Sequence, residues 1–118
     1  MKVLTENKLQ QECVIWFTNN YCLKHHVPRG LIFSVPNGGS RDVREAMTMK
    51  LTGLLKGASD LILILPNKKL IFVELKLENG RQSDEQKDFE LRVKELGYEY
   101  FLCRNLEDFK KCCTLVPE

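Results

Sequence analysis

The stretch that most constrains this chain is Gly57-Ala58-Ser59-Asp60-Leu61-Ile62-Leu63-Ile64-Leu65, followed by Pro66-Asn67-Lys68-Lys69 and by Leu70-Ile71-Phe72-Val73-Glu74-Leu75-Lys76. Two apolar runs around a Pro/Asn/Lys turn predict a β-hairpin in the middle of a sheet. The only charges of the two apolar strands sit at the open end of the hairpin, with Asp60 at the entrance and Glu74 and Lys76 at the exit. Unpaired charge is costly to bury, so acids placed there point to a divalent cation. Residues two apart on a strand share a face, so Glu74 and Lys76 point the same way and Leu75 the other. A three-residue loop, Pro66-Asn67-Lys68, pairs Leu65 with Lys69 and sets Asp60 across from Glu74. An even loop without a bulge separates them onto opposite faces. Asp60, Glu74, the Leu75 backbone carbonyl and waters then form an oxygen set of the kind Mg²⁺ takes. Lys76, which is no Mg²⁺ ligand, stands where an ammonium orients or activates water.

The rest of the chain gives the hairpin its neighbours. Thr5 is a candidate N-cap, and Leu9, Cys13, Trp16 and Phe17 recur at helical spacing, predicting a helix from 5 to about 24 that Val27-Pro28-Arg29-Gly30 stops. Leu31 to Val35 reads as a short strand, and Pro36-Asn37-Gly38-Gly39-Ser40 as a turn. From Arg41, Val43, Ala46, Met47, Leu51 and Leu54 predict a second helix ending near Lys56-Gly57, with Gly57 as its stop. Ser83 with Gln86 three residues on is a capping-box pattern opening a helix that buries Phe89, Val93 and Leu96 and ends at Gly97. Tyr98 to Cys103 is a strand, and Asn105 caps a last helix. The order α-β-α-β-β-α-β-α, with a crossover expected to be parallel and right-handed, implies one α/β domain over residues 1–118. Its mixed central β-sheet is flanked by helices on both faces. The unbroken apolar runs suggest strands covered on both sides.

Composition narrows the function classes without choosing among them. A net charge of +2 over 118 residues is too small to prove a polyanionic partner, although a carboxylate metal site hides basic surface from that count. No apolar run reaches the length of a membrane span and the N-terminus lacks the apolar segment of a signal peptide, so a cytoplasmic protein is expected. The five cysteines have no CxxC spacing, and read as buried free thiols. The His25-His26 pair fits a helix end.

One series of residues is more specific than any of these. Asp60 followed by Glu74-Leu75-Lys76 matches the D-x(n)-E-x-K core of PD-(D/E)XK nucleases, a short pattern that is weak alone. It is joined by Glu6 with Leu9-Gln10, Asn37-Gly38, Gly57-x-x-Asp60, Gly80-Arg81-x-Ser83-x-x-Gln86 and Gly97-Tyr98. In that order the chain resembles, over nearly its whole length, the virus-type replication-repair nuclease (VRR-NUC) domain. Stand-alone copies of that domain occur in phages and bacteria. The resemblance implies a restriction-endonuclease-like core. It implies Asp60, Glu74 and Glu6 as metal-binding acids, Lys76 as the catalytic lysine, and Gln86 near the metal or the scissile phosphate. Ser59 departs from the pattern, because the family usually places proline before the aspartate.

Each position also has a plainer reading. Glu6 suits the helix dipole, Gln86 completes a capping box, Asn37-Gly38-Gly39 makes a turn, and Lys68-Lys69 is a solvated hairpin tip. The resemblance implies a Mg²⁺- or Mn²⁺-dependent DNA endonuclease hydrolysing phosphodiester bonds in branched DNA. A four-way (Holliday) junction resolvase acting as a homodimer in phage or bacterial DNA repair is the expectation. Asn37, Arg41, Arg44 and Lys56 are expected to meet DNA, with Arg29 and Lys50 nearby. No membrane and no small-molecule organic cofactor is expected. The alternatives are a flap or nicking nuclease of the same family and a non-catalytic module that binds branched DNA.

Overall fold

The computed structural model describes residues 4–36 and 43–114, apart from the side chains of Val43 and Ala46. Helix α1, Glu6–Trp16, starts where the Thr5 hydroxyl accepts the Lys8 amide at 3.1 Å. It runs through a π-helical turn, Phe17–Tyr21, into a last turn, α2, Cys22–Lys24. The buried residues explain the wider turn. Leu9, Cys13 and Phe17 are four apart, whereas Phe17 and Cys22 are five apart, and an i→i+5 turn keeps both on the core side.

Four strands follow in the order β1 (Leu31–Ser34), β2 (Leu61–Leu65), β3 (Lys69–Leu75) and β4 (Glu99–Cys103), which is also their order across the sheet. β1, β2 and β3 are antiparallel, while β3 and β4 are parallel and joined through α4, Asp84–Glu95. The hairpin register is Leu65 with Lys69 and Leu61 with Val73, as a three-residue loop demands. Asn67 and Lys68 turn it with φ of 66° and 63°.

One face of the sheet presents Leu61, Leu63, Ile71, Val73 and Leu75 to Leu9, Cys13 and Phe17 of α1 and to Phe109, Cys112 and Cys113 of α5, Leu106–Thr114. Phe109 also meets Trp16 edge-on at 6.0 Å. Each such side chain contributes on the order of 1.5–3 kcal/mol by leaving water. All five cysteines are buried free thiols.

The other face carries Phe72, which packs edge-on against Phe89 of α4 at 5.6 Å and Tyr98 at 6.2 Å. α4 covers only the β3–β4 half. On the β1–β2 half Leu31, Phe33 and Ile64 are 60%, 45% and 40% exposed, so the expected cover on both faces is not met there.

The second helix is shorter than its pattern. α3 spans Val43–Leu51, because Gly53 adopts φ +110° and takes the chain out of helix before Leu54. Gly57 is therefore not a helix stop. It has φ +91°, and a Cβ there would lie 2.4 Å from the Glu85 carbonyl oxygen, so glycine lets this segment touch the start of α4. Among the described residues no helix is long and apolar enough to cross a membrane.

Candidate active site

The hairpin delivers its charges to one place. Leu61 opposite Val73 brings Asp60 across from Glu74 on the face that α4 covers. Asp60 is held at both ends. Its carbonyl accepts the Val35 amide at 2.9 Å, tying the end of β1 to the start of β2. Its Oδ2 accepts the Leu75 amide at 2.7 Å. Ser59 ahead of it is fully buried and donates its hydroxyl to the Leu61 carbonyl at 3.2 Å. A side-chain hydrogen bond thus shapes the approach to the aspartate.

Glu74 is 1% exposed. Its Oε2 accepts Gln86 Nε2 at 3.0 Å, while Oε1 is buried without a hydrogen-bond partner. Burial raises its pKa, the Asp60 carboxyl beside it raises it further, Lys76 opposes them, and Glu6 adds a smaller upward push. The outcome is a carboxyl pushed up to about 8.

Gln86 has two tasks. Its Oε1 accepts the Ser83 amide at 2.8 Å and its own amide donates to the Ser83 hydroxyl at 3.2 Å, which is the capping box. The other end of the same side-chain amide holds Glu74. One side chain thus completes the capping box and contacts Glu74. Tyr100 of β4, nearly buried, accepts Gln82 Nε2 at 3.2 Å, and the same nitrogen donates to Glu90 at 3.0 Å. Burial and then the charge of Glu74 push the Tyr100 hydroxyl well above its ordinary pKa.

Lys76 lies one residue past β3, where its amide extends the ladder to the Cys103 carbonyl at 3.1 Å. Its charge reaches Glu74. Glu6 opens α1 and also reaches Glu74 by charge, but among the described residues no three His, Cys, Asp or Glu side chains close into one cluster. Leu75 offers its amide to Asp60.

An open cleft of ≈ 530 Å³ lies beside Asp60, walled by Asn7, Gln10, Lys56, Gly57, Ser83 and Gln86 among others. Lys56 stands at it with Nζ 3.3 Å from Glu85, both side chains well exposed. Arg44 is exposed on α3. Asn37 and Arg41 lie outside the described residues. Gln10 stands in the series of the resemblance without a role and Asn7 stands outside it, although three-residue spacing near the start of α1 puts both on one helix face.

The donor set suits a hard divalent cation. Glu74 Oε1 is a buried acidic oxygen with nothing to satisfy it, Asp60 stands opposite, and Mg²⁺ and Mn²⁺ take oxygen ligands of this kind.

A model of the VRR-NUC domain matches residues 4–106. Two solved structures share the fold. One, described as a VRR_NUC domain protein, superposes with a TM-score of 0.74 at 18% identity, covering 97% of this chain and 88% of its own. The other, described as a VRR_NUC domain, has a TM-score of 0.64 at 21% identity, covering 95% of this chain and 97% of its own. A comparison with curated proteins finds no match.

Proposed function

This chain belongs to the VRR-NUC family of nucleases, and from that premise we propose that it is a Mg²⁺- or Mn²⁺-dependent endonuclease for branched DNA, a four-way junction resolvase working as a homodimer. The observation that carries the reading is the unsatisfied buried Oε1 of Glu74, across from Asp60, which itself lines an open cleft. A divalent cation held by Asp60 and Glu74, with the Leu75 carbonyl as a further oxygen, would supply Lewis acidity at a phosphoryl oxygen and raise the nucleophilicity of water.

The chain's own residues do the rest. Gln86 orients Glu74 by donating to Oε2, leaving Oε1 free to act. Glu74 must give up its proton to bind a cation, and the charge of Lys76 favours that loss. Lys76 orients the attacking water and offsets the charge that builds on the phosphate in the transition state. Lys56, beside the cleft, and Arg44 attract phosphates without reading sequence. The two-fold symmetry of a four-way junction matches paired cuts by a C₂ dimer.

The test incubates the protein with Mg²⁺ or Mn²⁺ and labelled four-way, flap and linear duplex DNA. Paired symmetric nicks in the four-way substrate support the resolvase. Cutting confined to flaps moves the assignment to a flap nuclease, and binding without cleavage moves it to an accessory module. Asp60→Ala and Lys76→Ala are expected to abolish cleavage while keeping the fold and most DNA affinity. Retained activity in either removes that residue from the mechanism.

A further inference from the structure

Arg104 follows β4 directly and belongs to none of the groups above. Its backbone is fixed from the far side, because its amide donates to Asp108 Oδ2 at 3.0 Å and Asn105 Oδ1 caps α5 by accepting the Asp108 amide at 2.8 Å. From that anchor the guanidinium reaches back across 24 to 27 residues of sequence. Its Nη1 lies 2.8 Å from the Leu77 carbonyl, 2.8 Å from the Gly80 carbonyl and 3.2 Å from the Glu78 carbonyl. One cation thus gathers three carbonyls of the turn that leaves β3 for α4. The turn is also closed by the Gly80 amide donating to the Leu77 carbonyl at 2.9 Å.

That turn begins immediately after Lys76, and it folds back on the lysine. A Cβ on Gly80 would lie 3.4 Å from both Cβ and Cδ of Lys76, which places the glycine backbone along the lysine stem. The lysine backbone is therefore tied to β4 by its amide donating to the Cys103 carbonyl, and its stem is bounded by Gly80. Arg104 holds Gly80 where it is.

We propose that Arg104 is a positioning residue for Lys76: by clamping the Leu77, Glu78 and Gly80 carbonyls it keeps Gly80 against the lysine stem and the ammonium beside Glu74. The guanidinium is suited to this task because it is planar, permanently charged and rich in donors, whereas a lysine there has a flexible stem and no planar fork. A long, mobile side chain loses catalytic efficiency when its wall is removed, since displacement of about 1 Å costs on the order of a hundredfold in rate. The activity arm of the test rests on the nuclease reading above, and the other arm does not.

The test uses the full chain with Arg104→Met, which keeps the stem and removes the donors, at a temperature where circular dichroism shows it fully folded. Two quantities are read. The first is the rate at which an amine-acylating reagent modifies Lys76, followed by peptide mass spectrometry without metal or DNA. It is expected to rise about threefold or more over wild type, with Lys87 and Lys110 unchanged, as befits a local release and not general loosening. The second is single-turnover cleavage, expected to fall on the order of tenfold or more while DNA affinity stays within about twofold. Arg104→Lys is expected to fall between wild type and Arg104→Met in both. Unchanged Lys76 reactivity overturns the proposal, as does a rise shared equally by all lysines. If wild type cleaves no DNA, the nuclease reading fails while the reactivity result still decides the role of Arg104. If Arg104→Met does not fold, wild-type reactivity of Lys76 in Arg104→Lys refutes the proposal, and a rise there confined to Lys76 upholds it.

Discussion

Replacing Glu74 with Gln is expected to stabilise the metal-free protein, and to do so only above acidic pH. Glu74 binds its proton more tightly folded than unfolded, with a pKa pushed from 4.5 to about 8. Its favourable contribution is therefore complete below pH 4.5 and fades as pH rises through 8. At 1.36 kcal/mol per decade of proton affinity, about 3 kcal/mol is lost by pH 7 and about 5 kcal/mol by pH 9, both as upper bounds because the fold relaxes around a buried charge. A Gln at 74 retains an oxygen for Gln86 Nε2 and carries no charge, so its stability has no such slope. Urea denaturation of both proteins in EDTA, from pH 5 to pH 9, is the assay. The curves are expected to lie close together at pH 5 and to separate by several kcal/mol at pH 9, on the order of 10 °C or more in Tm. Mg²⁺ at pH 8 is expected to narrow the gap by stabilising wild type alone. Parallel curves across the range would refute the argument, since they would mean that Glu74 ionises in the fold as easily as in the unfolded chain.

Gln86→Ala removes the cap and the Glu74 contact together, and is expected to cost about 1–3 kcal/mol in chemical denaturation along with most of the cleavage. Gln86→Glu keeps the capping box but sets a further acid against Glu74, so its stability deficit should widen as pH rises from 5 to 8. Asp60→Asn keeps an acceptor for the Leu75 amide; thermal melts should stay within about 1 kcal/mol of wild type while cleavage is lost. Gly57→Ala must place a methyl 2.4 Å from the Glu85 carbonyl at a φ of +91°, and a loss of about 2 kcal/mol or more is expected in the same melts.

The hairpin register was legible because it depends on a count. Two apolar runs with three turn residues between them permit one pairing that buries Leu61, Leu63 and Leu65 together, and that pairing sets Asp60 opposite Glu74. Where backbone conformation departed from side-chain pattern, the sequence misled. Leu54 continues the helical period of Met47 and Leu51, yet Gly53 has already left the helix. Gly57 carried the signature of a stop, while its actual constraint, the Glu85 backbone, lies 28 residues away. The open β1–β2 half was hidden because an apolar strand reads alike whether α4 reaches across it or not. Gln86 was half legible: the spacing to Ser83 announces the cap, but only the packing of α4 on the sheet shows that its remaining donor meets Glu74. Arg104 gave no local signal, since everything it grips precedes it by more than twenty residues.

The last helix has a consequence for where this domain can be cut. The family model ends at residue 106, at the first residue of α5. Phe109, Cys112 and Cys113 beyond it are 0%, 2% and 2% exposed and lie over the helix that carries Glu6. A fragment trimmed to the family boundary would uncover the apolar side of α1 around Leu9 and Cys13, and losing Phe109 alone removes about 3–5 kcal/mol. It would also lose the Asp108 carboxylate that anchors Arg104. The boundary of the family model thus falls inside the packed core, which the last helix completes.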